Sequence, residues 1–93
     1  MAVISLIREH QLSIDEVTRR VNKVASKLEQ KLGISSEWDN EKTMFFRRKG
    51  ANGSIEISEH SVEVTVRLGI MFKALKGVVQ QELEQVLDKQ FNI

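Results

Sequence analysis

The sequence predicts an α+β fold in two layers, in which two helices cover one face of a mostly antiparallel sheet in the order β-α-β-β-β-β-α. Apolar residues recur at helical spacing in two segments, one near the start of the chain and one at its end. Between these segments, apolar and polar residues alternate in short runs that are separated by turn-forming clusters. The 93 residues contain no proline and show no repeat or linker. We therefore expect a single domain over residues 1–93.

The N-terminal run 1–7 is short and apolar, and we predict that it forms a strand. The first helix should begin after Ser13, which forms a capping box with Glu16, and should end at Gly33, a typical left-handed C-terminal cap. Its apolar residues lie on one side of the helix and should face the core. They are Ile14, Val17, Val21, Val24, Ala25, Leu28 and Leu32.

The opposite side of this helix carries five cationic residues, which we call the basic stripe: Arg19, Arg20, Lys23, Lys27 and Lys31. A solvated face, with acids early and bases late in the helix as the macrodipole favours, is the commoner explanation of such a pattern. The alternative is a contact surface for a partner. In that case changing Lys23 and Lys27 to glutamate should abolish partner capture without unfolding the protein.

Residues 34–68 have the pattern of a four-stranded antiparallel meander, with turns expected at 39–41, 50–53 and 58–61. The alternation is clearest from Ile55 to Leu68, where valine and isoleucine occupy every second position. One face of the sheet should therefore be apolar and the other solvated.

The period changes at Gly69, where a strand should pass directly into the second helix. The predicted core residues of that helix are Phe72, Leu75, Val79, Leu83, Val86 and Leu87. Lys76 falls at the edge of this stripe and either extends along the core or holds an anionic group. Gly77, inside the first turns, is expected to be a close-packing position, with a ligand contact as the alternative.

The composition favours no catalytic or metal chemistry. The net charge is +1 and there are no cysteines. His10 and His60 lack the spacing of metal ligands, and no nucleophile motif is present. We therefore expect a non-enzymatic protein without metal or cofactor, located in the cytoplasm and without a transmembrane segment.

Two features favour nucleic-acid binding: the run 45–49, which combines two phenylalanines with three basic residues, and the Gly-x-x-Gly of residues 50–53. The second helix turns acidic after Lys76, which suits phosphate tracking poorly. Charges at a strand end that discourage edge pairing are the simpler explanation of Arg47, Arg48 and Lys49. Nucleic acid is therefore an unlikely partner.

Two motifs, within a pattern that runs over nearly the whole chain, indicate a family. They are the His10-Gln11-Leu12-Ser13 segment before the first helix and the Leu68-Gly69 to Leu75-Lys76-Gly77 junction. Together with Leu32-Gly33-Ile34, Trp38 and Gly53, they make the sequence similar to the polyhydroxyalkanoic acid system proteins. The resemblance implies a small bacterial protein encoded near polyester granule genes, but it implies no reaction. Some relatives carry proline where this chain has Ala74, so we expect a more regular helix here.

Our functional hypothesis is a module that binds a protein partner or a granule surface. The basic stripe is its candidate contact surface, and Lys76 and Gly77 are candidate ligand contacts. The alternative is a carrier of a fatty or hydroxyalkanoic acid, with Lys76 at the rim of an apolar cavity. Edge-to-edge pairing of two sheets would also allow the protein to form a homodimer.

Overall fold

The computed structural model describes residues 2–91, so Met1 of the predicted first strand lies outside the described residues. The predicted fold class is confirmed, with one additional short helix. The elements are β1 (Ala2–Glu9), α1 (Ile14–Leu32), β2 (Ser35–Asn40), β3 (Thr43–Arg48), β4 (Ala51–Ile57), β5 (Ser61–Leu68), α2 (Ile70–Lys73) and α3 (Lys76–Phe91).

The strands form one five-stranded antiparallel sheet in the order β1-β5-β4-β3-β2. The meander β2 to β5 folds through successive hairpins, and β1 pairs with β5 in continuous register from Ala2 opposite Leu68 to Glu9 opposite Ser61. Helix α1 therefore crosses the sheet from one edge strand to the other. α3 packs against α1 and β1, so both long helices cover the same face.

The core lies between this helical layer and the apolar sheet face. Leu28 of α1, Ile55 of β4 and Leu83 of α3 are all fully buried. The serine half of the predicted capping box is present, because the Ser13 Oγ accepts a hydrogen bond from the Glu16 amide at 3.3 Å. The Glu16 carboxylate, which would form the other half, accepts from Arg19 and Arg20 instead. The C-terminal cap of α1 is Gly33, which has a left-handed φ of 66°. One predicted core position of α1 is wrong: Ile14 is 46% exposed and is the first residue of the helix.

The turn predicted at residues 50–53 is shorter than expected. It comprises Lys49 and Gly50, and β4 already begins at Ala51. Gly53 lies inside β4, where a Cβ would collide with the backbone carbonyl of Thr65 on the neighbouring strand. The glycine therefore allows close strand pairing and does not form a turn.

The second helix is not continuous, contrary to prediction. α2 ends at Lys73, the chain turns at residues 74–75, and α3 starts at Lys76. The Leu75 amide donates to the Phe72 carbonyl at 2.9 Å, and the Val79 amide then donates to the Leu75 carbonyl at 2.9 Å. The break lets α2 lie at the end of β5 while α3 runs against β1 and α1. The regular helix expected at Ala74 is therefore a turn.

Two predictions about the start of the second helix are corrected by this break. Leu75 is 45% exposed and does not belong to the core, because it lies in the turn. Gly77 is not a close-packing position, since a Cβ built on it would have no heavy atom of residues 2–91 within 4 Å. The core stripe begins at Val79 and continues through Leu83.

Candidate functional site

The end of the sheet at the β3–β4 hairpin is joined to α2 through two glycines. The Gly69 amide donates a hydrogen bond of 2.8 Å to the Gly50 carbonyl. Gly50 has a φ of 87°, and the half-buried ring of Phe72 packs directly against it. A side chain at position 50 would meet two ring carbons of Phe72 at 2.8 Å, so the close approach requires glycine.

Arg48 completes this junction. Its guanidinium carbon lies 4.8 Å from the centre of the Phe72 ring, within the range of a cation–π contact. The same guanidinium donates a hydrogen bond to the carbonyl of Leu32, in the last turn of α1. A cation at this helix end is favoured by the macrodipole. Arg48 therefore has a structural role beyond the edge protection that the sequence suggested.

Four large apolar side chains project from α2, the turn and the first turn of α3, and we call them the junction patch. Their exposed fractions are 90% for Ile70, 71% for Met71, 45% for Leu75 and 57% for Val78. Large apolar groups concentrated over nine residues of chain are unlike the scattered exposed residues of an ordinary surface. The junction patch is the candidate functional site.

Two lysines accompany the junction patch. Lys73 ends α2 and Lys76 begins α3, and both are exposed. Lys76 was predicted from sequence, whereas the apolar residues beside it were missed. A usable signal was present, because Ile70, Met71 and Val78 are large apolar residues outside the helical stripe of Phe72 and Val79.

The basic stripe is only partly free in the folded protein. Arg19 and Arg20 both pair with Glu16, at 2.6 and 3.0 Å. These hydrogen bonds to Arg19 and Arg20 lower the pKa of Glu16 from 4.5 to about 2. The pKa of Arg19 is raised, mainly by the same hydrogen bond.

The stripe also holds the two long helices together. Arg20 donates a hydrogen bond to the carbonyl of Gln90 near the end of α3, and Lys31 pairs with Glu82 of α3 at 3.0 Å. Lys23 and Lys27 are exposed and take part in none of the ion pairs found within residues 2–91. A partner surface on this stripe would therefore depend on these two lysines.

Lys76 does not line the apolar space behind Phe72. This space is bordered by Leu32 and Val79, is partly open to solvent and has a volume of about 20 Å³. That space accommodates about one water molecule and no acyl chain. Lys76 and Gly77 lie outside its lining and face solvent at the start of α3.

His10 is the one buried polar residue among those described, with 2% of its surface exposed. Its Nδ1 accepts a hydrogen bond from the Leu12 amide at 3.2 Å, and its Nε2 lies 3.1 Å from the Ser58 carbonyl. These contacts require the neutral tautomer protonated at Nε2. His10 thus ties the segment before α1 to the β4–β5 turn. Within residues 2–91, no three histidines or acids come together as metal ligands.

These features define a small α+β domain with an exposed apolar end between its last strand and last helix. Residues 4–91 match the sequence model of a family described as putative polyhydroxyalkanoic acid system protein. The chain belongs to that family, as its two motifs indicated. No curated protein matches the chain. Over the described residues, no helix has both the length and the apolar character needed to cross a membrane.

Proposed function

We propose that the chain is a non-enzymatic accessory module that attaches to the surface of polyester granules in the bacterial cytoplasm through the junction patch. The family description supplies the polyhydroxyalkanoic acid context. The observation that carries the proposal is the exposure of four large apolar side chains at one end of the molecule, led by Ile70 at 90%.

The chemistry of an aliphatic polyester suits this patch. Such a surface offers alkyl groups for apolar side chains and ester carbonyls that accept hydrogen bonds. Fully burying one isoleucine or methionine contributes about 1.5 to 3 kcal/mol, so Ile70 and Met71 supply most of the attachment energy. Lys73 and Lys76, beside them, supply hydrogen-bond donors that the polymer lacks.

The direct test is co-sedimentation of the purified full chain with amorphous polyhydroxybutyrate particles. Ile70→Gln combined with Met71→Gln should reduce binding at least tenfold, because glutamine keeps helix propensity but removes apolar surface. The matched control is Val3→Thr combined with Ile7→Thr, which removes two side chains that are 48% and 55% exposed on β1. This control should bind like the wild type.

Equal loss of binding in both double variants would indicate unspecific adsorption and contradict the proposal. Absence of wild-type binding to the particles would also contradict it. In that case the wild type could still capture a granule protein. If Lys23→Glu combined with Lys27→Glu abolishes such capture, the result would support the protein-partner hypothesis based on the basic stripe.

The acid-carrier alternative has less support, because the 20 Å³ space behind Phe72 is far smaller than an acyl chain and Lys76 is not at its rim. A homodimer remains compatible with the fold. β1 is an edge strand, and Val3 and Ile7 project from it on the open face of the sheet.

A further inference from the structure

The face of the sheet that the long helices leave open carries two arginines in one row. Arg47 on β3 lies opposite Asn52 on β4, and Asn52 lies opposite Arg67 on β5. All three side chains are exposed. Adjacent strands are about 4.8 Å apart, so the Cα atoms of the arginines are about 10 Å apart. Both guanidinium groups can therefore reach one ligand placed above Asn52.

The surroundings of this row are cationic. An open concavity of about 780 Å³ beside the β3–β4 turn is lined by Arg47, Arg48, Lys49 and Arg67 and by no acidic residue. Arg48 is held by Leu32 and Phe72. The other three cationic residues, Arg47, Lys49 and Arg67, form no ion pair within residues 2–91.

Two of the acids on the same face, Glu56 and Glu63, are too distant to neutralise this row. Glu56 and Glu63 lie opposite each other on β4 and β5. Each is four residues from the row along its strand, which corresponds to about 13 Å. Charges at that distance are largely screened, because the Debye length is about 10 Å at 0.1 M salt. Glu37 on β2 is closer, because it lies diagonal to Arg47 at about 7 to 8 Å. It is two strands and two residues from Asn52, which corresponds to about 12 Å. An anion above Asn52 would therefore be opposed mainly by this one carboxylate.

An aromatic ring lies next to the row. Phe45 is two residues before Arg47 on β3, on the same face and about 7 Å away. It is 42% exposed, and its neighbours on the adjacent strands are the small Ser54 on β4 and Glu37 on β2. A planar group can consequently stack on Phe45 while an attached anion reaches the arginines.

We propose that this open face binds a nucleotide, with its phosphate between Arg47 and Arg67 and its base against Phe45. Arginine forks bind phosphate oxygens in a bidentate manner, and base stacking on an aromatic ring tolerates any base. The same chemistry is offered by a free nucleotide and by a nucleotide within a single strand. The site does not involve the junction patch, so it stands apart from granule attachment.

The test is a titration of the ¹⁵N-labelled full chain at 50 mM salt with ribose 5-phosphate, AMP and a single-stranded oligonucleotide. We expect saturable shifts of the amides of residues 45–54 and 65–67. Arg47→Gln with Arg67→Gln should weaken binding of all three probes at least tenfold. Lys23→Gln with Lys27→Gln removes the same charge from α1 and should leave binding unchanged.

Phe45→Leu separates the base from the phosphate. It should weaken AMP binding about fivefold or more while leaving ribose 5-phosphate unaffected. Tighter binding of the oligonucleotide than of AMP would assign the site to single strands, and equal or weaker binding would assign it to free nucleotides. Either result supports the site.

Three outcomes would overturn the proposal: no saturable shift with millimolar AMP, equal weakening by the two double variants, or equal loss of AMP and ribose 5-phosphate binding in Phe45→Leu. Arg47→Lys with Arg67→Lys provides a second variant that keeps the charge and loses the fork geometry. It should bind more weakly than wild type and more tightly than the glutamine pair.

Discussion

Two glycine-to-alanine substitutions should change stability in opposite directions, although the chemical change is the same. Gly50 has a φ of 87° and lies against Phe72. Gly77, in the first turn of α3, has open space around it. The pair therefore tests whether the junction is as tightly built as the structure indicates.

The expected magnitudes follow from the local geometry. Alanine in a left-handed conformation costs about 1 to 2 kcal/mol, and displacing the Phe72 ring adds an overpacking cost of similar order. The reduced entropy of the unfolded chain offsets part of this. We expect Gly50→Ala to lower the free energy of unfolding by about 2 kcal/mol. Gly77→Ala should raise it by about 0.5 kcal/mol, at the low end of the helix-interior value because position 77 is in the first turn.

Urea unfolding followed by tryptophan fluorescence measures both effects. Trp38 is the single tryptophan in the sequence, and its Nε1 donates a hydrogen bond of 2.9 Å to Asn22 of α1. Its signal therefore reports on the contact between the sheet and α1. A loss of about 2 kcal/mol moves the urea midpoint down by roughly 1 to 2 M.

Two results would refute this reasoning. Gly50→Ala with wild-type stability would mean that the Phe72 contact is not a constraint. A loss above about 1 kcal/mol in Gly77→Ala would mean that Gly77 packs against part of the protein after all.

Three further predictions concern charge and packing. The lowered pKa of Glu16 contributes stability that is present above pH 4.5 and is lost as pH falls through about 2. In equilibrium unfolding, Glu16→Gln should therefore make the free energy of unfolding less dependent on pH between about 4.5 and 2. Leu83→Ala should cost about 2 to 5 kcal/mol in urea unfolding, whereas Leu75→Ala should cost less than about 1, since the first is fully buried and the second is 45% exposed. Arg48→Met should lower the free energy of unfolding by about 1 to 2 kcal/mol by removing the donor to Leu32, and an unchanged urea midpoint would show that the hydrogen bond contributes nothing net.

The elements with a regular period could be predicted from the sequence. The caps of α1 at Ser13 and Gly33 and the alternation from Val62 to Leu68 are local signals, and the structure confirms them. The pairing of β1 with β5 could not be predicted, because no local pattern specifies which strand lies beside a given edge.

The break after α2 could not be predicted from periodicity. Phe72 and Val79 fit one helical stripe by spacing, but Phe72 is held at the end of the sheet by Gly50 and Arg48. These contacts are made with a hairpin about 20 residues earlier in the chain. The constraint is therefore a tertiary contact, which the local sequence pattern does not show. The same tertiary constraint explains why Leu75 is exposed when its spacing predicted burial.

The basic stripe illustrates a different limit. Sequence places Arg20 and Lys31 on one helix face together with Lys23, but it does not show which partners α3 brings. In the fold, Arg20 donates a hydrogen bond to the Gln90 carbonyl, and Lys31 forms an ion pair with Glu82. The number of free cations on a helix face is therefore a property of the assembled fold, and a count from the helical wheel overstates it.

The Gly50–Gly69 hydrogen bond connects the two surfaces that we propose to be functional. On one side of it, α2 presents Ile70 and Met71, and on the other the β3–β4 hairpin leads to Arg47. Because Phe72 packs on Gly50, a shift of this ring displaces α2 without changing the strand register that holds the arginine row. Gly50→Ala should therefore weaken particle binding more than AMP binding under conditions in which the variant is fully folded. Equal weakening of both would mean that the hairpin itself has moved, and the two surfaces would then have to be treated as one.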